Sequence, residues 1–273
     1  MTHHFPPRKL LVPTDLTETS RPAFQFARLW RAQFGSDVHV VHAQQFELPP
    51  YFSSGQIQIL SRELKKAVKA AAEYLRKDSA AALGFEARVS VVVKPPVVAI
   101  LEAAEASDAD LIVIGTHGRH GAERFWLGSV AERVLRESPK PILAVRQGMT
   151  ASSFGHILCP VSFSAVAREA LQYAAAMAEA GQLRLTVLHA VEEGDKPPDC
   201  DLVPEIVRTR CKIEELTYHG DAAGAILTAA KDLKPDIIAM GAERKTVALG
   251  GLFSSTTERV MQWANVPLLV VPK

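Results

Sequence analysis

Four positions in this chain could hold an anion without a charged side chain: Gly115, Gly118, Gly128 and Ser129, spaced Gly-x2-Gly-x9-Gly-Ser. The run Leu111-Ile112-Val113-Ile114 that precedes them is unbroken and apolar, the pattern of a strand buried on both faces. Ser129 and Glu132 have capping-box spacing, which predicts a helix starting at Ser129. The N–H groups at a helix N-terminus are unpaired and carry partial positive charge, so a phosphate settles there when the backbone can be approached closely. Glycine at 118 and 128 removes the side chains that would block that approach. A second candidate is Asp15, which closes the apolar run Lys9 to Thr14 with a carboxylate. It can accept from sugar hydroxyls or an amino group; a turn or N-cap role is the alternative.

These groups need a scaffold that brings them together. Lys9 to Thr14, Val38 to His42, Arg88 to Val93, Asp110 to Ile114 and Pro141 to Val145 read as strands. Helical spacing fills the intervals: Ser20 to Phe34, a long amphipathic stretch through Ile57, Leu60, Leu64, Val68 and Leu75, a helix after Pro96, and Ser129 to Glu137. Alternation of this kind implies right-handed crossovers and a doubly wound parallel sheet. With strand order 3-2-1-4-5, the crevice at the carboxyl ends lies between the first and fourth strands, and Asp15 faces Gly115 across it.

The pattern then restarts. His156 to Ser162 repeats Lys9 to Asp15 with an offset of 147, and Ile237 to Gly241 repeats Leu111 to Gly115 with an offset of 126, so the second copy is 21 residues shorter. The loss falls where the first copy has its long helix. The reading is an α/β chain of two tandem Rossmann-like domains, residues 1–148 and 149–273, joined at the polar run Gln147 to Ser153. The second copy carries Ser162 for Asp15, Arg244 for Gly118 and Ser254 for Gly128, which predicts a hollow closed to nucleotide. Arg244 with Lys245 could hold a smaller anion instead.

The glycine spacing resembles the ATP-binding signature of the universal stress protein family. The resemblance implies ATP, with or without Mg2+, in the first copy. It gives Pro13 and Thr14 the turn before Asp15, Asp15 the ribose or base, Ala43 the adenine, and Ile114 the wall of the base slot. Gly115, His117 and Gly118 fall in the loop, and Gly128, Ser129 and Val130 face the phosphates with amides and a hydroxyl. Where the family has glycine after the third strand, this chain has Lys94, which could reach a phosphate but is expected to be an exposed turn residue. The resemblance also implies an intrachain pseudo-dimer through the last strand of each copy and leaves a homodimer open.

Composition limits the remaining classes. The 273 residues are 48% hydrophobic and 22% charged, with 31 basic against 30 acidic side chains and a net charge of +1. That balance gives no general electrostatic reason to bind nucleic acid or an anionic membrane. No apolar run reaches the roughly 18 to 20 residues of a membrane span, and the first residues lack the apolar core of a signal peptide, so the expectation is a cytosolic protein. Three cysteines at irregular spacing fit reduced thiols, and no metal pattern is present. The leading reading is a non-catalytic ATP-binding stress or signalling protein. A slow ATPase or autophosphorylating enzyme, and a nucleotide-independent chaperone-like module, are the alternatives; no Walker lysine or paired-carboxylate site accompanies the glycines.

Overall fold

The computed structural model describes residues 6–46, 51–116, 127–162, 164–191, 203, 205–209, 211–242 and 255–272. In the first half the order is β1 (Lys9–Thr14), a single 3-10 turn (Glu18–Ser20), α1 (Arg21–Phe34), β2 (Asp37–Ala43), α2 (Ser54–Leu83), β3 (Arg88–Val92), α3 (Pro96–Ala106), β4 (Leu111–Gly115), α4 (Ser129–Glu137) and β5 (Ile142–Val145). The second half repeats it as β6 (His156–Val161), α5 (Ala165–Gly181), β7 (Arg184–Val191), α6 (Glu205–Arg208), β8 (Ile213–His219), α7 (Ala222–Leu233), β9 (Ile237–Ala242), α8 (Ser255–Trp263) and β10 (Leu268–Pro272). The helix expected over Ser20 to Phe34 is present as α1, with Ser20 as its N-cap. Arg21 and Pro22 open α1, and the 3-10 turn precedes it.

All the strands join one ten-stranded sheet in the order β3-β2-β1-β4-β5-β10-β9-β6-β7-β8. Every neighbouring pair is parallel except β5 and β10, which meet antiparallel with Leu143 opposite Leu269. Each half thus has the 3-2-1-4-5 order, and the last strands cover each other's edges. The central strands β1, β4, β5, β6, β9 and β10 are apolar almost throughout because helices cover both faces.

Two apolar layers sandwich the sheet, and each draws residues from both halves. On the α1 and α5 side, Phe154 from the start of the second half packs against Phe26 and Trp30, its ring 5.6 Å from the Trp30 ring and edge-on to it. Gln25 Nε2 donates to the Ala151 carbonyl and Gln33 Nε2 to that of Gly181, bonds that tie the connecting segment and the end of α5 to α1. Arg146, half-buried just past β5, donates from both terminal nitrogens to the carbonyls of Gln262 and Ala264 at the end of α8. Its guanidinium thereby meets the partial negative charge of that helix C-terminus.

The repeat extends to its fastenings. Asp110 Oδ2 accepts from the N–H groups of Arg8 and Lys9, and Asp236 Oδ2 does the same for Gly155 and His156, so in both halves an aspartate before the fourth strand clasps the start of the first. Left-handed residues end the helices: Gly35 after α1, but Gln182 at the equivalent place after α5. α2 is the element with no full counterpart. It runs 30 residues from a capping box, in which Gln56 N donates to Ser53 Oγ and Ser53 N to Gln56 Oε1, and it stops at Gly84. Among the described residues of that interval, the second half has the four-residue helix α6. No described helix is long and apolar enough to cross a membrane.

Candidate functional site

Strands β1 and β4 pair only at their beginnings, Leu10 with Leu111 and Leu11 with Ile112, and then diverge. The next residues of β1 include Pro13, which has no N–H to offer a ladder. β6 and β9 behave alike, with Pro160 in the matching position. In the first half the divergence opens into a cavity of about 800 Å³ at the carboxyl ends of the strands. This is the switch point of the sheet, where β1 has β2 on one side and β4 on the other.

Nine of the residues singled out from the sequence line this cavity: Pro13, Thr14, Asp15, Ala43, Ile114, Gly115, Gly128, Ser129 and Val130. His117 and Gly118 lie outside the described residues, as do Arg119, His120 and, in the second half, Arg244, Lys245 and Ser254. The sequence reading had not included His42, Gln44, Gln45, Ser20, Thr116 or Ala71 among them. Ala71 is contributed by α2, whose length gave no cue that it would reach the crevice. His42 was visible only as the last residue of the second strand.

The turn after β1 is held by short polar side chains. Thr14 Oγ1 hydrogen-bonds Ser20 Oγ at 2.8 Å and accepts from Leu16 N at 3.0 Å. Asp15 Oδ1 accepts from Thr17 N at 3.1 Å and Thr17 Oγ1 at 2.7 Å. Leu16 sits at φ 63, a left-handed conformation that a bulky side chain adopts only when its surroundings impose it. Asp15 therefore serves the turn with one oxygen while lining the cavity. Across the crevice, a Cβ at Gly115 would meet the Thr19 carbonyl oxygen at 3.0 Å and Ser20 Cα at 3.3 Å, so β4 approaches the 3-10 turn as closely as glycine allows.

On the β4 side, the Gly128 N–H donates to the Thr116 carbonyl at 2.6 Å, which brings together the two ends of the segment between them. Gly128 is the N-cap of α4, and its carbonyl accepts from Glu132 N. The expected capping box does not form. Ser129 is the first helical residue rather than the cap, and the Glu132 carboxylate pairs with Arg136 one turn on. The consequence for anion chemistry is specific. The Gly128 amide is already engaged, and the amides without an intrahelical partner are those of Ser129, Val130 and Ala131, all at the cavity.

The rest of the cavity is different in character. Val41, Ala43, Pro96, Ile100 and Ile114 give it apolar walls. His42 Nδ1 lies 2.9 Å from the Thr14 carbonyl; a neutral ring would carry its proton there. Among the described lining residues Asp15 is the one carboxylate, and no Lys or Arg is present. Lys94 does not reach the cavity; it pairs with Glu102 on the surface. Among the described residues no cluster of three or more His, Cys, Asp or Glu could hold a metal ion. Apolar walls, a carboxylate and a helix N-terminus gathered at one cavity suit a ligand with a flat ring, hydroxyls and an anionic tail.

The rear crevice differs where it matters. Ser162 replaces the carboxylate, and its Oγ lies 3.1 Å from Ser164 Oγ, which in turn caps α5 by accepting from Ala167 N. A Cβ at Gly241 would fall 2.1 Å from the Val166 carbonyl oxygen, so the start of α5 presses on β9 more tightly than the 3-10 turn presses on β4.

The model of the Universal stress protein family matches residues 7–146 and again 153–272. A universal stress protein of Methanocaldococcus jannaschii is 32% identical over 143 residues, covering 51% of this chain and 82% of the relative. One from Thermus aquaticus is 31% identical over 141 residues, covering 51% and 98%. Among solved structures, a universal stress protein from Archaeoglobus fulgidus superposes with a TM-score of 0.76 at 24% identity, covering 98% of this chain and 99% of that one, a likeness of fold.

Proposed function

The chain belongs to the universal stress protein family, and from that premise we propose that its front half binds one ATP while its rear half binds none and acts as a structural or regulatory partner. The supporting observation is the hollow of about 800 Å³ that gathers Asp15, Gly115 and the N-terminal amides of α4. In this reading Val41, Ala43 and Ile114 enclose the adenine, Asp15 receives the ribose, and Ser129 and Val130 hold phosphate oxygens. His117 and Gly118 complete the loop. Because the described lining offers no cation, Mg2+ bound to the triphosphate would help neutralise it.

The domains divide at 148/149, and the β5–β10 seam makes them an internal pseudo-two-fold pair. Nucleotide bound to the front half stabilises the occupied state by mass action and can change how the protein meets its partners, a role in stress response or signalling. Isothermal titration of the whole chain tests this. One ATP per chain is expected, lost in Asp15→Ala and in Gly118→Arg. Undiminished affinity in both variants would refute the assignment, as would two equivalents of ATP per chain.

A further inference from the structure

Gln44 follows directly on β2, and its N–H donates to the Val92 carbonyl at 2.8 Å, so its backbone is an extension of the sheet. Gln44 lines the cavity beside Ala43. The carboxamide oxygen Oε1 is buried and has no hydrogen-bond partner. A buried acceptor without a donor is costly, and a ligand carrying an N–H at that point removes the cost.

We propose that the Gln44 carboxamide reads the base edge of the bound nucleotide and selects a purine with an amino group at its six-position over one with an oxo group. The inference rests on the nucleotide reading above. A six-amino group donates to Oε1, whereas a six-oxo group sets one acceptor against another. Rotating the amide would meet the oxo group with one N–H but bury the second N–H unmet, so rotation does not restore the loss. Ala43 and Ile114 fix the plane of the ring without regard to its substituents, since they offer only contact area. Discrimination therefore falls to the polar group beside them.

The test compares the affinity of ATP and of ITP, which differ at that position, for the whole chain and for Gln44→Met and Gln44→Glu. The wild-type chain is expected to prefer ATP by about tenfold, the worth of one hydrogen bond gained instead of an acceptor clash. Gln44→Met keeps length and removes the acceptor, so the ratio falls towards one through weaker ATP binding. Gln44→Glu presents acceptors alone, so the ratio is held or raised even if both affinities drop. An unchanged ratio in Gln44→Met, or a ratio near one in Gln44→Glu, would overturn the assignment of Gln44 while leaving nucleotide binding intact. A wild-type chain that binds neither nucleotide would overturn both.

Discussion

A methyl group added at Gly241 would lie 2.1 Å from the Val166 carbonyl oxygen, 2.3 Å from its carbonyl carbon and 2.8 Å from Ala167 N. All three are backbone atoms of α5. Since ordinary contacts lie near 3.5 Å, the helix must withdraw by on the order of 1 Å. Overpacking in a core costs about 1–3 kcal/mol, and a clash with immovable backbone belongs at the top of that range, so Gly241→Ala should cost about 3 kcal/mol. At Gly115 the same methyl meets Thr19 O at 3.0 Å and Ser20 Cα at 3.3 Å, and a shift of a few tenths of an ångström relieves it. That cost is about 1 kcal/mol. Thermal unfolding of a chain this size should register losses of about 6–12 °C and 2–4 °C respectively. The increment that ATP adds ranks the two variants the other way. At a hundredfold above Kd it adds about 2.7 kcal/mol to a protein that binds it only when folded. Gly241→Ala should keep that increment in full. Gly115→Ala should lose part of it, because the displaced turn carries Ser20, the partner of Thr14 at the cavity. The reasoning fails if Gly115→Ala is the more damaging without ATP, or if Gly241→Ala alone loses the ATP increment.

Replacing Arg146 by Met removes two charge-assisted hydrogen bonds to the end of α8 and should cost about 2–3 kcal/mol, read as a lower midpoint in denaturant. Gln182→Gly relieves a left-handed residue at φ 53 where the first half has Gly35, and should stabilise by about 0.5–1 kcal/mol in the same assay. Burial, with Arg88 nearby, pushes His39 down to about 4 from its usual 6.5. The unfolded chain therefore takes up that proton first, and stability present above pH 6.5 is lost as pH falls towards 4; His39→Gln, which can still bond Ser90, should flatten this part of the melting-temperature profile. Burial pushes the Cys159 thiol up to about 12, so alkylation at pH 8 should reach it only after unfolding.

The strands and their order were legible because buried parallel strands are near-continuous apolar runs, and β4 and β9 display that without interruption. The tandem repeat was legible for the same reason. The base end of the crevice was read less fully. Ala71 enters it from a helix whose periodicity looks like any amphipathic helix, and Gln44 stands past a strand end where sequence pattern gives no direction to a side chain. At Ser129 the expected helix start is where α4 begins, but the capping box behind that expectation does not form. Glycine at 128 took the cap position, and Glu132 found Arg136 instead. Asp15 takes the turn use its position allowed, since its Oδ1 ties down Thr17, and the residue also lines the hollow.

The front-only claim is tested most directly by photolabelling the whole chain with 8-azido-ATP and mapping the modified peptides. The base should attach to residues of the front slot, between Val41 and Gln45 or around Ile100 and Ile114, and excess ATP should suppress the label. ATP-suppressible label in the rear half, alone or beside the front slot, or labelling that ATP does not suppress, would contradict the account.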